Sequence, residues 1–178
     1  FVERLGYKKS DLIIGTMPNL KPHIKEVSGL DKAVTCIPMG VEIGREDDVQ
    51  ELELEGRYIS RYLSSEKFKI VHAGTIGITN ALDVFFETAK AFVDNESIEF
   101  IVVGDGALKD HYVNEYGHLG NLIFAPKVPR KSVQEVLGYC DLVFFSMYAS
   151  KVWDSGQSLN KVVDYMLSGK PVLAAYSG

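Results

Sequence analysis

The chain has 178 residues, of which 46% are hydrophobic and 24% charged, which is the composition of an ordinary globular protein and excludes a disordered, collagen-like or low-complexity chain. The 19 basic and 24 acidic residues leave a net charge of −5 at pH 7, so we expect no nucleic-acid partner. Two cysteines without a CxxC motif predict neither a disulfide framework nor a zinc site. The cysteine usage favours a reducing, cytoplasmic location, and no apolar run reaches the roughly 18–20 residues of a membrane span.

The first 66 residues show only short structural signals. Apolar runs predict strands over residues 11–15 and 33–38, with a short helix at about 18–27 between them. Residues 42–57 are rich in charges of both signs. We interpret them as a surface helix or a connection.

From Phe68 onward, short apolar runs alternate with helical patterns. The spacing of apolar residues predicts a helix over 81–95, with Phe92 and Val93 on its apolar face. Ser132 and Glu135 have the spacing of a capping box and would open a helix over 132–140. The predicted strands are 68–73, 98–103, 121–124, 141–146 and 171–175. Continuously apolar strands alternating with helices predict an α/β domain with a doubly wound, Rossmann-like parallel sheet.

Two of these strands end in glycine-containing loops, one with Gly74 and Gly77 and the other with Gly104 and Gly106. In an open α/β sheet, ligands bind at the carboxyl ends of the strands. Neither loop completes a dinucleotide-binding or P-loop motif. Each is therefore either a tight strand-to-helix turn or a phosphate site.

The segment 158–168 predicts a helix that Ser158 would cap. Its apolar positions would face the core, and its polar positions would lie on the other side. Lys161 in the first turn opposes the helix dipole, unless an anion binds there. The alternative is an exposed Lys161–Asp164 pair of negligible energy. The apolar positions are Leu159, Val162, Val163 and Met166, and the polar ones are Asn160, Lys161 and Asp164.

Four segments occur together in the order and spacing of a known family, namely HAGTIG (72–77), IVVGDG (101–106), FAPKVPRKSVQEVLGYCDLVFFS (124–146) and SLNKVVDYMLSGKPVLA (158–174). The ordered set resembles the donor-binding, C-terminal half of retaining GT-B glycosyltransferases of family 4, especially the bacterial amino-sugar and L-fucosamine transferase-like subgroup. The resemblance implies that residues 1–40 are the tail of the acceptor-binding half and the crossover. Residues 41–178 would form the nucleotide-sugar-binding domain, and the fold would be truncated at both ends.

The resemblance also implies roles for individual residues in a cleft between two Rossmann-like halves. The loop of Gly74, Thr75 and Gly77 would approach the diphosphate or the donor sugar. Val128 would meet the base through its backbone, with Arg130 nearby to stack or pair. The phosphate would lie at the helix start formed by Ser158, Leu159 and Asn160, with Lys161 neutralising its charge, and Asp164 would bind the ribose hydroxyls. No cofactor and no metal are implied, and the nucleotide sugar is the substrate.

The sequence departs from the usual E-x7-E pattern of that family at both positions. Gly156 stands at the first and Asp164 at the second. Thr75 and Asn80 also occupy the region where the family usually has Arg and Lys. The catalytic group therefore stays unassigned.

The implied function is transfer of a sugar from a UDP donor, specifically an N-acetylamino sugar, in cell-surface polysaccharide synthesis. The acceptor would be a glycan or a lipid-linked molecule held by the N-terminal half, which would also make any peripheral contact with the inner face of the membrane. This stretch alone is expected to be inactive. The alternatives are an isomerase similar to UDP-N-acetylglucosamine 2-epimerases and a catalytically silent nucleotide-binding module.

Overall fold

A computed structural model describes residues 1–40, 54–156 and 159–176. The described residues cluster into two compact units. One comprises those of 1–43 and 149–163, and the other those of 44–148 and 164–177. The predicted domain boundary after residue 40 lies at the edge of a segment outside the described residues, and most of the charged segment 42–57 lies within it. Both interpretations stay predictions.

The described residues of the first unit form, besides the start of a helix shared with the second unit, two helices and two short strands. They are α1 (Val2–Lys9), β1 (Ile13–Gly15), α2 (Leu20–Ser28) and β2 (Val34–Cys36). Strand β1 pairs in parallel with β2, and α2 buries Ile24 completely. The predicted strands and the helix between them are confirmed, whereas α1 was not predicted. A 3-10 turn at Lys151–Ser155 joins this unit through Asn19, whose N–H donates to Ser155 O at 2.9 Å.

The second unit is a parallel sheet with helices in its connections. Its elements, in chain order, are α3 (Gly56–Tyr62), β3 (Phe68–Ala73), α4 (Asp83–Ala91), β4 (Ile98–Val103), α5 (Lys109–Tyr116), β5 (Leu122–Ala125), α6 (Val133–Gly138), β6 (Leu142–Ser146), α7 (Asn160–Leu167) and β7 (Val172–Ala175). Helix α7 begins among the residues of the first unit and ends in the second.

The five strands are ordered β5-β4-β3-β6-β7, and every pair is parallel. The chain builds outward from β3 to β5 and then returns to place β6 on the other side of β3. This order is that of the doubly wound Rossmann-like fold, and its topological switch point lies between β3 and β6. The prediction of a doubly wound parallel sheet is confirmed.

The core beside this sheet is aromatic. Phe85 and Phe86 of α4 are fully buried, and the ring of Phe85 lies 5.4 Å from that of Phe100 in β4 in an edge-to-face arrangement. Helix α4 ends at Ala91, four residues before its predicted end. Phe92 and Val93 therefore leave the predicted apolar face, and each is 41% exposed.

The predicted capping box at Ser132 is wrong. Ser132 makes no side-chain cap hydrogen bond and has φ −88° and ψ −2°. It ends a 3-10 turn that begins at Arg130, whereas a capping residue needs an extended backbone. Glu135, the other member of the expected box, accepts a hydrogen bond from the N–H of Leu54 at 3.0 Å instead.

Candidate functional site

The loop that follows β3 lies at the switch point of the sheet. In the second unit, β3 pairs with β6 only as far as Val71 and Val143, whereas its ladder with β4 continues to Ala73. The two central strands therefore cease to be hydrogen-bonded to each other before they end. A crevice at this place is where open α/β sheets bind ligands, and the loop Gly74–Gly77 begins directly beside it.

The backbone of this loop divides its N–H groups into two sets. The N–H of Gly74 donates to Val103 O at the end of β4, and that of Ile76 donates to Asp105 O in the loop after β4, each over 2.9 Å. In the part of the chain that the structure describes, the N–H groups of Thr75 and Gly77 donate to no protein acceptor. Thr75 is exposed, and the side-chain amide of Asn80 donates to its carbonyl at 2.8 Å. The loop is thus held in place while two of its donors stay available.

The second glycine loop is explained by packing against the first. A Cβ atom at Gly104 would lie 1.9 Å from the carbonyl oxygen of Gly74. A Cβ at Gly106 would lie 2.3 Å from Ile76 O, and the φ of Gly106 is +156°, so the absence of a side chain is required at both positions. This arrangement favours the tight-turn interpretation for Gly104 and Gly106.

Asp164 and Arg130, which lie 34 residues apart, are brought into direct contact. The Arg130 guanidinium donates to Oδ2 of Asp164 in a short ion pair, and the carboxylate raises the pKa of Arg130. The Asp164 side chain is only 10% exposed, against 68% for that of Arg130. Gln134 of α6 donates to the Asp164 carbonyl at 3.0 Å. The exposed Lys161–Asp164 pair considered above is therefore wrong, because Asp164 is buried and bound by Arg130.

The predicted core face of α7 is wrong at Met166, while Leu159, Val162 and Val163 are half-buried. Met166 is 72% exposed, whereas Asp164 and Tyr165 are buried. Tyr165 turns inward because its hydroxyl bonds to the backbone of Ala73 at the end of β3. The part of α7 that belongs to the second unit thus buries two polar residues with specific partners.

The start of α7 contains the residues predicted to hold phosphate. Ser158 lies outside the described residues, and the helix begins at Asn160, which is exposed, after the half-buried Leu159. The first N–H groups of any helix lack intrahelical acceptors. Lys161 is half-buried, and burial lowers its pKa to about 8.

Val128 and Gly156 complete the set of positions that the sequence singled out. Val128 is half-buried in the segment between β5 and the 3-10 turn of Arg130. Gly156, in the first unit, has φ +97°, and a Cβ there would lie 2.6 Å from Cδ of Pro18. No side chain fits at this position without strain.

Three polar side chains lie near the ends of β3 and β6; sequence reasoning assigned no role to Tyr165 and Ser146, and the interpretation of His72 as a core residue is confirmed. Tyr165 was given no role, although it adjoins Asp164 in the sequence. His72 is fully buried, and its Nδ1 donates to Phe144 O at 3.2 Å. The Ser146 hydroxyl, at the end of β6, lies 2.7 Å from Asn80 O. A buried polar residue within a predicted strand or helix was the available signal.

Among the described residues, no three His, Cys, Asp or Glu side chains gather in a way that could hold a metal ion. Nor do these residues include a helix of the length and apolar character that crossing a membrane requires.

The fold has clear relatives among solved structures. HepE from Anabaena, in complex with UDP and glucose, is 18% identical and has a TM-score of 0.66, and the match covers 97% of this chain and 46% of that one. A variant of S. aureus TarM, in complex with fondaparinux, α-GlcNAc-glycerol and UDP, is 16% identical with a TM-score of 0.67, covering 96% of this chain and 31% of that one. The pneumococcal O-GlcNAc transferase GtfA, in complex with UDP and GlcNAc, is 11% identical with a TM-score of 0.62, covering 97% and 31%.

This chain spans less than half the length of each of these structures. A comparison with curated protein sequences finds no match. The profile of the family described as glycosyl transferases group 1 matches residues 67–178, which is more than half of the chain. The parallel sheet with alternating helices is the Rossmann-like fold of the C-terminal domains of GT-B glycosyltransferases. The chain therefore belongs to the glycosyl transferases group 1 family.

Proposed function

We propose that this chain binds the nucleotide part of a UDP-linked sugar, as the donor-binding portion of a retaining, family 4-like glycosyltransferase. The observation that carries the proposal is the buried carboxylate of Asp164, which is bound by Arg130. Asp164 lies one helical turn after Lys161 on α7. A carboxylate can accept hydrogen bonds from two adjacent ribose hydroxyls. The lysine one turn earlier then serves the phosphates of the same nucleotide.

The start of α7 supplies the phosphate site in this proposal. The N–H groups of Leu159 and Asn160 and the partial positive charge of the helix end favour an anion. Lys161 adds a full charge, and an anion beside it would offset the loss of hydration that lowers its pKa. In a chain of net charge −5, such a local concentration of donors and positive charge is what a diphosphate requires.

The loop after β3 supplies further donors. The N–H groups of Thr75 and Gly77 would bond to the diphosphate or to the donor sugar, and Gly74 would let the ligand approach closely. Val128 would contact the uracil ring through its backbone. Arg130, two residues later, would either keep its contact with Asp164 or turn toward the base, since most of its side chain is exposed.

These residues act in the reaction on the leaving group. Negative charge grows on the diphosphate as the bond to the sugar breaks, and preorganised N–H groups with an ammonium stabilise that charge without a metal ion. HepE and GtfA are solved with UDP and a sugar, which supports a uridine donor here. The amino-sugar specificity rests on the similarity of residues 158–166 to the subgroup named above.

The rest of the reaction is placed outside this stretch. Transfer needs donor and acceptor to be held together in a reactive geometry. We place the glycan or lipid-linked acceptor on the other half of a GT-B enzyme, which would work in the cytoplasm at the inner face of the membrane. Purified residues 1–178 are accordingly expected to transfer no sugar.

Gly156 favours a second candidate, a catalytically silent nucleotide-binding module. The position where the family usually has its first glutamate holds no side chain, and the backbone there does not suit one. Incubation of the full-length protein with UDP-sugars and acceptor extracts separates the two. Release of UDP with sugar transfer supports the transferase, epimerised sugar would indicate an isomerase, and binding without turnover would indicate the silent module.

Binding is tested by calorimetry on the 178-residue chain with UDP, GDP, ADP, dTDP and uridine. We expect UDP to bind best. Lys161→Ala should weaken UDP binding by about 1.5–3 kcal/mol, the usual worth of a hydrogen bond to a charged group, and should spare uridine. Asp164→Asn should weaken UDP and uridine alike. Lys90→Ala, which removes an exposed lysine of α4, is the control for net charge. A clear preference for GDP, or unchanged binding in both site variants, would contradict the proposal.

A further inference from the structure

The backbone of β3 runs past the end of its ladder with β6. The N–H of Asp141 donates to Lys69 O at 3.0 Å, and the last register pair of the two strands is Val71 with Val143. Alternate residues of a strand within a sheet bond to the same neighbour. Ala73, two residues after Val71, therefore directs its N–H and C=O toward β6, where no strand partner meets them.

The hydroxyl of Tyr165 takes the place of that partner. It accepts a hydrogen bond from the N–H of Ala73 at 2.9 Å and donates one to the carbonyl of the same residue at 3.2 Å. Tyr165 is fully buried, so water does not compete for these groups. Phe145, which the register would place opposite Ala73, lies beside the tyrosine with ring centroids 6.5 Å apart. One side chain thus makes the two hydrogen bonds that a residue of the neighbouring strand would otherwise make with Ala73.

The hydrogen bonds between Tyr165 and Ala73 join two parts of the proposed donor site. Ala73 is the last residue of β3 and directly precedes the loop Gly74–Gly77, while Tyr165 directly follows Asp164 on α7. We propose that Tyr165 is a positioning residue, whose hydroxyl fixes the root of the Gly74–Gly77 loop against the helix that carries the ribose-binding carboxylate. The inference rests on the proposed function, because it assumes that the loop and Asp164 bind the same ligand.

Tyr165→Phe tests the role of the hydroxyl while it keeps the buried ring. Tyr116→Phe is the matched control. Tyr116 is also buried, and its hydroxyl donates to Glu87 Oε1 at 2.6 Å between α5 and α4, outside the crevice. Amide hydrogen exchange of the ligand-free chain reports on local order, calorimetry reports UDP affinity, and urea denaturation reports global stability.

We expect Tyr165→Phe to accelerate exchange selectively at Ala73 and in the Gly74–Gly77 loop. UDP affinity should fall by about tenfold, the effect of one hydrogen bond at the upper end of its usual worth. Tyr116→Phe should change neither quantity, although it too lowers global stability. Uniformly faster exchange across the sheet, or faster loop exchange with unchanged UDP affinity, would overturn the positioning role.

Two further outcomes keep the inference separate from the proposed function. If the parent chain binds no UDP, the proposed function fails, and the exchange data alone decide whether Tyr165 orders the loop. If Tyr165→Phe does not fold, amide exchange of the parent chain tests the inference. The Ala73 amide should then exchange as slowly as that of Val71 in the ladder, and exchange at the rate of exposed loop amides would overturn the inference.

Discussion

Raising the pH from 7 to 9 is expected to weaken UDP binding through Lys161. Burial lowers the pKa of its ammonium to about 8, so about nine-tenths of the free chains carry the proton at pH 7 and about one-tenth at pH 9. A bound diphosphate favours the charged form and raises the pKa again. UDP affinity should therefore fall by about tenfold, or about 1.4 kcal/mol, over this range.

Calorimetry at several pH values, in two buffers that differ in ionisation enthalpy, measures both the affinity and the protons taken up. Near pH 8, binding of one UDP should take up about half a proton, because half of the lysines are neutral before binding. Lys161→Arg is the control, since arginine stays charged throughout, and it also corrects for ionisation of the uracil ring. An equal pH dependence in the parent and in Lys161→Arg would refute the reasoning.

The same lysine should affect stability in the absence of ligand, with a sign that follows from proton binding. The unfolded lysine keeps its proton to about pH 10.4, whereas the folded one loses it near pH 8. Between these values the unfolded state binds more protons, so the contribution of Lys161 to the free energy of unfolding rises with pH. Urea denaturation should show that the parent gains stability relative to Lys161→Met as the pH rises from 8 to 10, and a constant difference would contradict this.

Three further predictions concern single contacts. Arg130→Met should lower the free energy of unfolding, measured by urea denaturation, by about 1–2 kcal/mol. This value lies between those for exposed and buried ion pairs, because the side chain of Arg130 is mostly exposed and that of Asp164 is not. A loss of the same size in an Asp164→Asn background would show that the ion pair contributes nothing. Gly104→Ala should lower the melting temperature strongly because its Cβ would lie 1.9 Å from a backbone oxygen of the first glycine loop, whereas Gly120→Ala, with nothing within 4 Å, is the control and should melt near the parent. Gly156→Glu should destabilise the chain by about 1–3 kcal/mol through its left-handed backbone, and a variant as stable as the parent by calorimetric melting would count against the strain.

Local sequence patterns determined the strands and the class of fold. The predicted bounds of β3 and β4 agree with the structure to the residue, because each is an apolar run closed by turn residues and fully supported by neighbouring strands. Helices were less well predicted. Helix α5 presents few apolar residues with helical spacing, and its two buried side chains, Tyr112 and Tyr116, are tyrosines with polar ends, so no amphipathic pattern marked it.

The two glycine loops show what a local sequence pattern can and cannot predict. The sequence indicated tight turns or phosphate sites after β3 and β4, and it left the choice open for both loops. Gly104 and Gly106 are required because a side chain at either position would collide with a carbonyl group of the adjacent loop. That loop follows β3, whose residues pair with residues of β4 that lie 30 positions later in the chain, as His72 does with Val102. Contact between two loops of separate strands leaves no signature within either one.

What the sequence determined by itself is the position of the strands along the chain, the parallel sheet and the residue types that follow its strands, whereas the order of the strands in the sheet comes from the structure. Only the tertiary structure decided which side of α7 is buried, because a helical period marks faces without saying what each face meets. Asp164 is buried because Arg130, 34 residues earlier, binds it, and Tyr165 is buried because the backbone of Ala73, 92 residues earlier, needs its hydroxyl. Met166, apolar and placed in the core by its spacing, lies at the surface, because these two polar contacts fix the rotation of the helix.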